Sequence, residues 1–448
     1  MSAGNRGEQP TSAVLRRVGV SSLIGTAIEY YDFLIYASLA ALVFGKVFFP
    51  NSDPAVATIA SFGTFAAGYV ARPIGGILFG HFGDRLGRKS VLVLTMTLMG
   101  ISSFLIGLLP GYHAIGAAAP VLLVVLRVIQ GVALGGEWGG ATLMAAEHAQ
   151  PTRRGFWNGL VQMGSPIGAL LATVVVTIVT WLPEDDLLSW GWRIPYLLSA
   201  VLLVAGLYIR VSIPESPAFH EVTAPERIPL MKVLRQPSQF LLAWAVGIGP
   251  FALTALLSTY MISYVTTIGY DASDAMTGVL LLSLTALVAI PMFSAISDRF
   301  GRRAIILVGA VGIVVFAWPM YALVDSRSVP MLFIAMVLGQ VLQSAMYAPL
   351  GVLLSEMFGT SVRYTGISMG YQLAALIGGG LTPLLASVVL AGDVRSTPLA
   401  VLAAGCGGVT ILAIARVRNP GAVDLTTIED WPQSNAGGLR AEPDELSR

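Results

Sequence analysis

The sequence predicts an all-α membrane protein with twelve transmembrane helices in two pseudo-symmetric six-helix bundles, and three observations predict it. First, 55% of the 448 residues are hydrophobic and only 11% are charged, against about 25% charged in soluble domains. A soluble fold of this length could not hide that much apolar surface. Second, apolar stretches of the roughly 20 residues needed to cross about 30 Å of hydrocarbon recur along the chain. Third, a charged loop sequence appears twice, half a chain apart. The net charge of +1 gives no reason to expect nucleic acid as a partner.

The elements follow in order. Residues 1–18 are polar, carry Arg6, Arg16 and Arg17, and read as a cytoplasmic N-terminal segment. The apolar run after them is too long for a signal-peptide core and lacks a cleavage-like end, so it is the first membrane helix, at 19–45. Helices at 56–80, 90–109, 120–143, 156–180 and 192–212 complete a first bundle over 19–213. The polar stretch 214–237 is a cytoplasmic linker. A second bundle over 238–417 holds helices at 239–266, 275–296, 304–324, 329–353, 365–391 and 397–417. Residues 418–448 form a polar tail with Pro and Gly and no heptads, expected to be disordered. Glycines and prolines inside the spans (Gly75-Gly76, Pro166, Pro250, Pro349, Gly378-Gly379-Gly380) do not argue against helix, because small residues allow close packing and neighbours can satisfy freed backbone groups. The lone Cys406 lies in an apolar run, cannot form an internal disulfide and reads as packing.

Loop charges set the expected orientation. With both termini in the cytoplasm, Arg85, Arg88, Lys89, Arg153, Arg154, Arg210, Arg299, Arg302, Arg303, Arg363 and most other basic residues fall on the cytoplasmic side. Only Lys46, Arg193, Arg327 and Arg395 fall outside, and Arg72 and Arg127 fall within helices. The repeat has the same phase. Gly83-Asp84-Arg85-Leu86-Gly87-Arg88-Lys89 follows the second helix and Ser297-Asp298-Arg299-Phe300-Gly301-Arg302-Arg303 the eighth. Glu147 precedes Arg154 after the fourth helix as Glu356 precedes Arg363 after the tenth. Matching signatures in two six-helix halves indicate a duplicated membrane architecture.

These residues carry a resemblance. The Asp-Arg-x-Gly-Arg-Lys/Arg loops at 84–89 and 298–303 resemble the signature of the major facilitator superfamily. Arg127-Val128-Ile129-Gln130-Gly131, Gly135-Gly136-Glu137-Trp138-Gly139-Gly140, Glu29-Tyr30-Tyr31-Asp32-Phe33, Ala71-Arg72-Pro73-Ile74-Gly75-Gly76 and Pro214-Glu215-Ser216-Pro217 are similar to its metabolite:proton symporter branch. Gly80-His81-Phe82-Gly83-Asp84 and Phe48-Phe49-Pro50 look most like the shikimate-type members. The resemblance spans about 18–418 and implies a proton-coupled carrier of a small organic acid, working by alternating access in the inner membrane, needing no cofactor or metal, and acting as a monomer. It also implies that Asp84, Arg85, Arg88, Asp298, Arg299, Arg302, Glu147, Arg154, Glu356 and Arg363 gate the cytoplasmic side. There the Asp caps a neighbouring helix and the Arg residues pair across, in keeping with the preference of carboxylates for helix N-termini.

Charges inside the membrane cost about 2.5–3.5 kcal/mol each, so each needs a partner, a water cavity or a task. The first half contains Glu29, Asp32, Arg72, Arg127 and Glu137, and the middles of the last six helices contain essentially none, so proton chemistry is expected in the first half. Glu29 and Asp32 share a helix face near mid-membrane and read either as a proton-coupling pair or as ion-pair partners of a neighbouring Arg. Arg127, with Gln130 a turn below, reads as the anchor of an anionic substrate or as a structural partner of those carboxylates. Arg72 and Glu137 lie at similar depth and are expected to be neighbours, as a proton relay or as a permanent pair. Tyr36, Tyr260, Tyr264, Gln340, Gln343, Tyr347, Tyr371 and Gln372 supply hydroxyls and amides for a substrate cavity, each also readable as packing. Trp181, Trp190 and Trp192 read as interface anchors, and His81 as a hydrogen-bonded loop residue.

Three alternatives stand beside the symporter. An exporter of a small organic or drug-like molecule could use the same scaffold. However, Gly164-Ser165-Pro166-Ile167-Gly168 interposes a residue in the Gly-Pro-x-x-Gly usual for drug antiporters. A transporter-derived sensor would normally carry an added soluble domain. An intramembrane enzyme is disfavoured because there is no His-Glu-x-x-His, the sole Cys has no nearby His, and no P-loop exists to drive a pump with ATP.

Overall fold

The computed structural model describes residues 12–215, 229–382, 385–386 and 396–417. The expected N-terminal segment before residue 12, most of the 214–237 linker, and the tail at 418–448 lie outside the described residues. Twelve long helices are present among those described. The first bundle consists of α1 (12–48), α2 (Pro54–Leu86), α3 (Arg88–Leu108), α4 (Ala118–His148), α5 (Pro151–Val179) and α6 (Gly191–Val211). The second consists of α7 (Pro237–Thr267), α8 (Ser273–Phe300), α9 (Arg302–Asp325), α10 (Val329–Met357), α11 (Arg363–Ala374, continued by Ala375–Leu381) and α12 (Thr397–Arg416). Ten of them are long and apolar enough to cross a membrane on length and composition alone; α2 and α11 complete the twelve. The expected spans agree with these helices to within a few residues at most ends.

Small residues let helices within a bundle approach closely. A Cβ on Gly131 would lie 2.1 Å from Gly68 O, and one on Gly135 would lie 2.1 Å from Arg72 O, so α2 and α4 touch backbone to backbone. Three helices open into wider π turns: α1 at Ala40–Phe44, α7 at Leu256–Tyr260 and α11 at Ala375–Leu381. Large apolar side chains such as Val201, Val204, Val288 and Val315 point outward, as a lipid-facing surface requires.

The two halves turn the same corner. Gly87 between α2 and α3 has φ 101°, and Gly301 between α8 and α9 has φ 90°. With ψ near 150°, both occupy a region open essentially only to glycine, which explains the glycine in each Asp-Arg-x-Gly loop. Glu215, from the Pro-Glu-Ser-Pro stretch, accepts the backbone N–H groups of Arg88 and Lys89 at 3.1 Å and so caps α3.

Two expectations about side chains are corrected. Trp192, expected at the membrane interface, is fully buried among Phe44, Phe48 and Tyr196, whereas Trp181 and Trp190 are exposed. Arg210, counted with the loop-side charges, is buried inside the first bundle, because its helical position turns it toward α1 and α4 rather than toward the loop.

Candidate functional site

The two bundles are latched on the face that carries the Asp-Arg loops. Asp84 Oδ1 accepts the N–H of Tyr364 at 3.0 Å, and Oδ2 accepts the N–H (3.0 Å) and hydroxyl (2.8 Å) of Thr365. Asp84 thereby caps α11 of the opposite bundle. The second loop repeats the device in reverse. Asp298 Oδ1 and Oδ2 accept the N–H groups of Gly155 and Phe156 at 2.8 and 2.9 Å and cap the helical run of α5 that starts at Arg154. Each Asp therefore places its charge at the positive end of a helix it does not belong to. Glu147 accepts from Arg363 Nη1 at 3.2 Å and lies 3.5 Å from Arg88, all three buried. Arg302 pairs with Asp298 at 2.8 Å and, more loosely at 3.8 Å, with Glu356. Of the remaining expected gate residues, Arg154 is buried beside the second loop and within Coulombic reach of Glu356. Arg85 and Arg299 are exposed, and Arg85 Nη1 lies 3.4 Å from His81.

Between the bundles lies a cavity of about 150 Å³. The first bundle contributes Tyr30 and Ser165, and the second contributes Thr254, Ser258, Gln340, Gln343 and Tyr347. Gln343 Nε2 donates to Thr254 at 2.8 Å, and Gln340 Nε2 donates to Gln343 Oε1 at 2.9 Å. Toward the latched face, Tyr347 meets the hydroxyl of Tyr371 at 3.0 Å and donates to Gln162 Oε1 at 3.4 Å; Trp138 Nε1 donates to the same oxygen at 2.8 Å. The Trp138 and Tyr371 rings stack with centroids 3.4 Å apart. This aromatic and amide floor joins both bundles. Among the described residues, no Lys or Arg lines the cavity.

The membrane charges lie elsewhere, in the interior of the first bundle. A small cavity of about 10 Å³, room for roughly one water, is lined by Glu29, Asp32, Arg72, Arg127 and Gln130. Asp32 accepts from Ser103 at 2.7 Å and from Ser199, side chains of α3 and α6. Arg127 donates to Gln130 at 3.1 Å, and its guanidinium lies 4.2 Å from the ring centre of Tyr36; cation–π contact of this kind offsets part of the burial cost. Tyr36 is itself buried, its hydroxyl 2.6 Å from Thr64. Arg72 lies over the rings of Phe33 and Tyr69, at 4.4 and 4.3 Å.

Several sequence-based expectations change accordingly. Asp32, Arg127, Gln130 and Tyr36 do not face the cavity between the bundles; Tyr30 takes that side of α1. Arg72 and Glu137 form no ion pair, because Glu137 is held by Arg210 at 2.8 Å. Tyr264 bonds Asp325 at 2.6 Å, and Tyr260 reaches the carbonyl of Ala386 at 3.3 Å, so both tie helices of the second bundle together. Gln372 grips the carbonyls of Leu134 and Gly135 across the bundles, at 3.4 and 3.2 Å. Gln343 and Tyr347 line the cavity between the bundles. Tyr30 and Trp138 stand within the Glu29–Phe33 and Gly135–Gly140 motifs, whereas Gln162, Thr254 and Ser258 lie in apolar runs with no signal that marks them as site residues.

Comparison with known proteins agrees with this architecture. Residues 18–239 match the family described as "Sugar (and other) transporter", and residues 267–436 match "Major Facilitator Superfamily". The chain is 39% identical to the shikimate transporter of Escherichia coli (strain K12), over 87% of this chain and 92% of that one. It is 40% identical to the inner membrane metabolite transport protein YhjE of the same organism, over 83% and 87%. The proline/betaine transporter of that strain is 33% identical, over 83% and 77%. Among solved structures, the proton:xylose symporter XylE superposes with a TM-score of 0.77 at 16% identity, covering 94% of this chain and 99% of that one. At that identity the likeness speaks for the fold alone.

Proposed function

This chain belongs to the major facilitator superfamily and is a multi-pass membrane transporter, not an enzyme; on that premise we propose that it is a metabolite:proton symporter that imports a small organic acid together with protons. The observation that carries the reading is a division of labour. The cavity between the bundles offers amides, hydroxyls and aromatic faces but no cation, while the titratable charges are gathered inside the first bundle. A carboxylate bound in such a cavity leaves a buried negative charge without a partner, which is costly. A proton taken up in the same cycle offsets that charge. The amide and hydroxyl lining suits a cargo rich in hydroxyl groups, and similarity to a shikimate transporter supports a shikimate-like acid. A volume of about 150 Å³ is small beside the roughly 300–1,000 Å³ of drug-sized sites, which disfavours the drug-exporter alternative.

Within this reading the latched face is cytoplasmic and the protein lies in the inner membrane as a monomer. The structure then represents a state closed to the cytoplasm. Asp84, Asp298, Glu147 and Arg363 are the gate; Tyr30, Gln340, Gln343 and Tyr347 contact the cargo. The test is uptake of labelled shikimate, quinate, dicarboxylates, aromatic acids and betaine into proteoliposomes under an imposed pH gradient. An organic acid should accumulate only when the exterior is the more acidic side, and a protonophore should abolish the accumulation. Uptake indifferent to the protonophore, or accumulation driven by the opposite gradient, would refute proton-coupled import.

A further inference from the structure

Arg210 is buried in the first bundle and has no part in gating or in cargo contact. Its Nη1 donates to Glu137 Oε1 at 2.8 Å, and the same nitrogen lies against α1, where a Cβ on Gly25 would come within 2.1 Å of it. Gly25 and Glu29 are four residues apart on one helix face, so the guanidinium sits a turn from a second carboxylate. Glu29 Oε2, Glu137 Oε2 and Arg210 Nε and Nη2 are all buried with no hydrogen-bond partner among the described residues. Buried polar groups in folded proteins are nearly always satisfied, so four open positions in one cluster mark a network that can rearrange.

The charged and titratable surroundings are few. Glu29 is within Coulombic reach of Arg72 from α2, Glu137 from α4, Arg210 from α6 and Tyr347 from α10, with Asp32 on its own helix. Glu137 acts in turn on Asp32 and on Tyr364 of α11. Asp32 is engaged by two serines and Arg72 by two rings.

The turn of α4 that precedes Glu137 is gripped by the other bundle. Gln372 donates to the carbonyls of Leu134 and Gly135, and Tyr364 donates to the carbonyl of Gly136 at 2.7 Å. Both donors lie on α11, so the grip spans the two bundles on the side of the latches. A contiguous chain of contacts therefore joins the gate to the Glu137–Arg210 pair.

We propose that Arg210 is a switching counter-ion for Glu29. In the closed state it holds Glu137 through Nη1 alone, and Glu29 carries a proton. When α11 releases α4, the free N–H groups of Arg210 reach Glu29, its O–H bond breaks, and the proton passes to water on the opened face. Closure withdraws the arginine, and Glu29 takes a proton from the other side. The inference rests on the proton-coupled reading above, and Arg210 acts in it as a positioning residue.

The test compares Glu29→Gln and the paired Glu137→Gln/Arg210→Gln variant with the unaltered protein in proteoliposomes. Exchange of labelled for unlabelled shikimate at equal pH is expected to persist in both. Accumulation driven by a pH difference of about one unit is expected to vanish, a loss of about ten-fold. Infrared spectra of the unliganded protein, which need no cargo, should show a carboxylic-acid band that Glu29→Gln removes and Asp32→Asn leaves in place. That band also keeps the test open should the paired variant not fold. Retained pH-driven accumulation in Glu29→Gln, or a band that survives this substitution, would overturn the switch. If the unaltered protein accumulates no acid at all, the proton-coupled reading fails, and the infrared result still decides the protonation of Glu29.

Discussion

At the scale of single residues, the space that a neighbour leaves decides which partner a buried side chain takes. A rise of 1.5 Å per residue places Glu29 and Asp32 near mid-membrane in the sequence reading, and the structure buries both, with Arg127 beside them, inside the first bundle. The direction in which each points depends on which neighbours leave room. Gly25 leaves space for Arg210, so the arginine turns inward and takes Glu137 from its expected partner Arg72. Tyr264 makes the same point in the second bundle and carries a prediction. Its hydroxyl serves Asp325 rather than cargo, so Tyr264→Phe should leave the transport KM unchanged. It should lower thermal stability by an amount typical of a hydrogen bond to a charged group, about 1.5–3 kcal/mol, read by thermal unfolding of the purified protein in detergent. Gln343→Ala should behave in the opposite way. It removes the donor to Thr254 and an amide of the cavity wall, so the KM for the transported acid should rise. A KM shift in Tyr264→Phe, or none in Gln343→Ala, would reassign the cavity.

At the scale of elements, the helices were legible because apolar length is a one-dimensional property. The spans expected at 90–109 and 304–324 are observed as Arg88–Leu108 and Arg302–Asp325. The π turns in α1, α7 and α11 were not legible, since the same apolar composition suits either winding; they arise where one extra residue is accommodated in a helix, often at functional positions. The Asp-Arg-x-Gly turns were legible as a repeat, and the structure adds the reason for their glycine. At φ 101° and 90° with ψ near 150°, Gly87 and Gly301 stand where a side chain costs about 1–3 kcal/mol. Gly301→Ala should therefore misplace Asp298 relative to Gly155 and Phe156 and weaken the second latch. Slower accumulation of substrate with unchanged binding affinity is the expected signature, measured by uptake alongside equilibrium binding. Equal rates for the variant and the parent would show that the turn tolerates the change.

At the scale of the whole molecule, the two latches are one device used twice, and their reciprocity has a mechanical consequence. Asp84 of the first bundle caps α11 of the second, and Asp298 of the second caps α5 of the first. If each bundle moves as a rigid body, neither contact can break while the other stays intact. Removing one cap should then loosen both. An N-terminal carboxylate cap is worth about 0.5–2 kcal/mol, so Asp84→Ala should shift the balance between closed and open states by about 2- to 30-fold. The distant latch can report this shift. Ser297 is fully buried beside Gly155 at the second latch, and cysteine is close to serine in size. In a Cys406→Ser background, which removes the only native thiol, a Ser297→Cys reporter should react slowly with a water-soluble maleimide. Adding Asp84→Ala should raise that rate by the same factor as the shift in population, although the two positions belong to different latches. A rate unaffected by Asp84→Ala would mean that the latches open independently and that the bundles bend rather than rock.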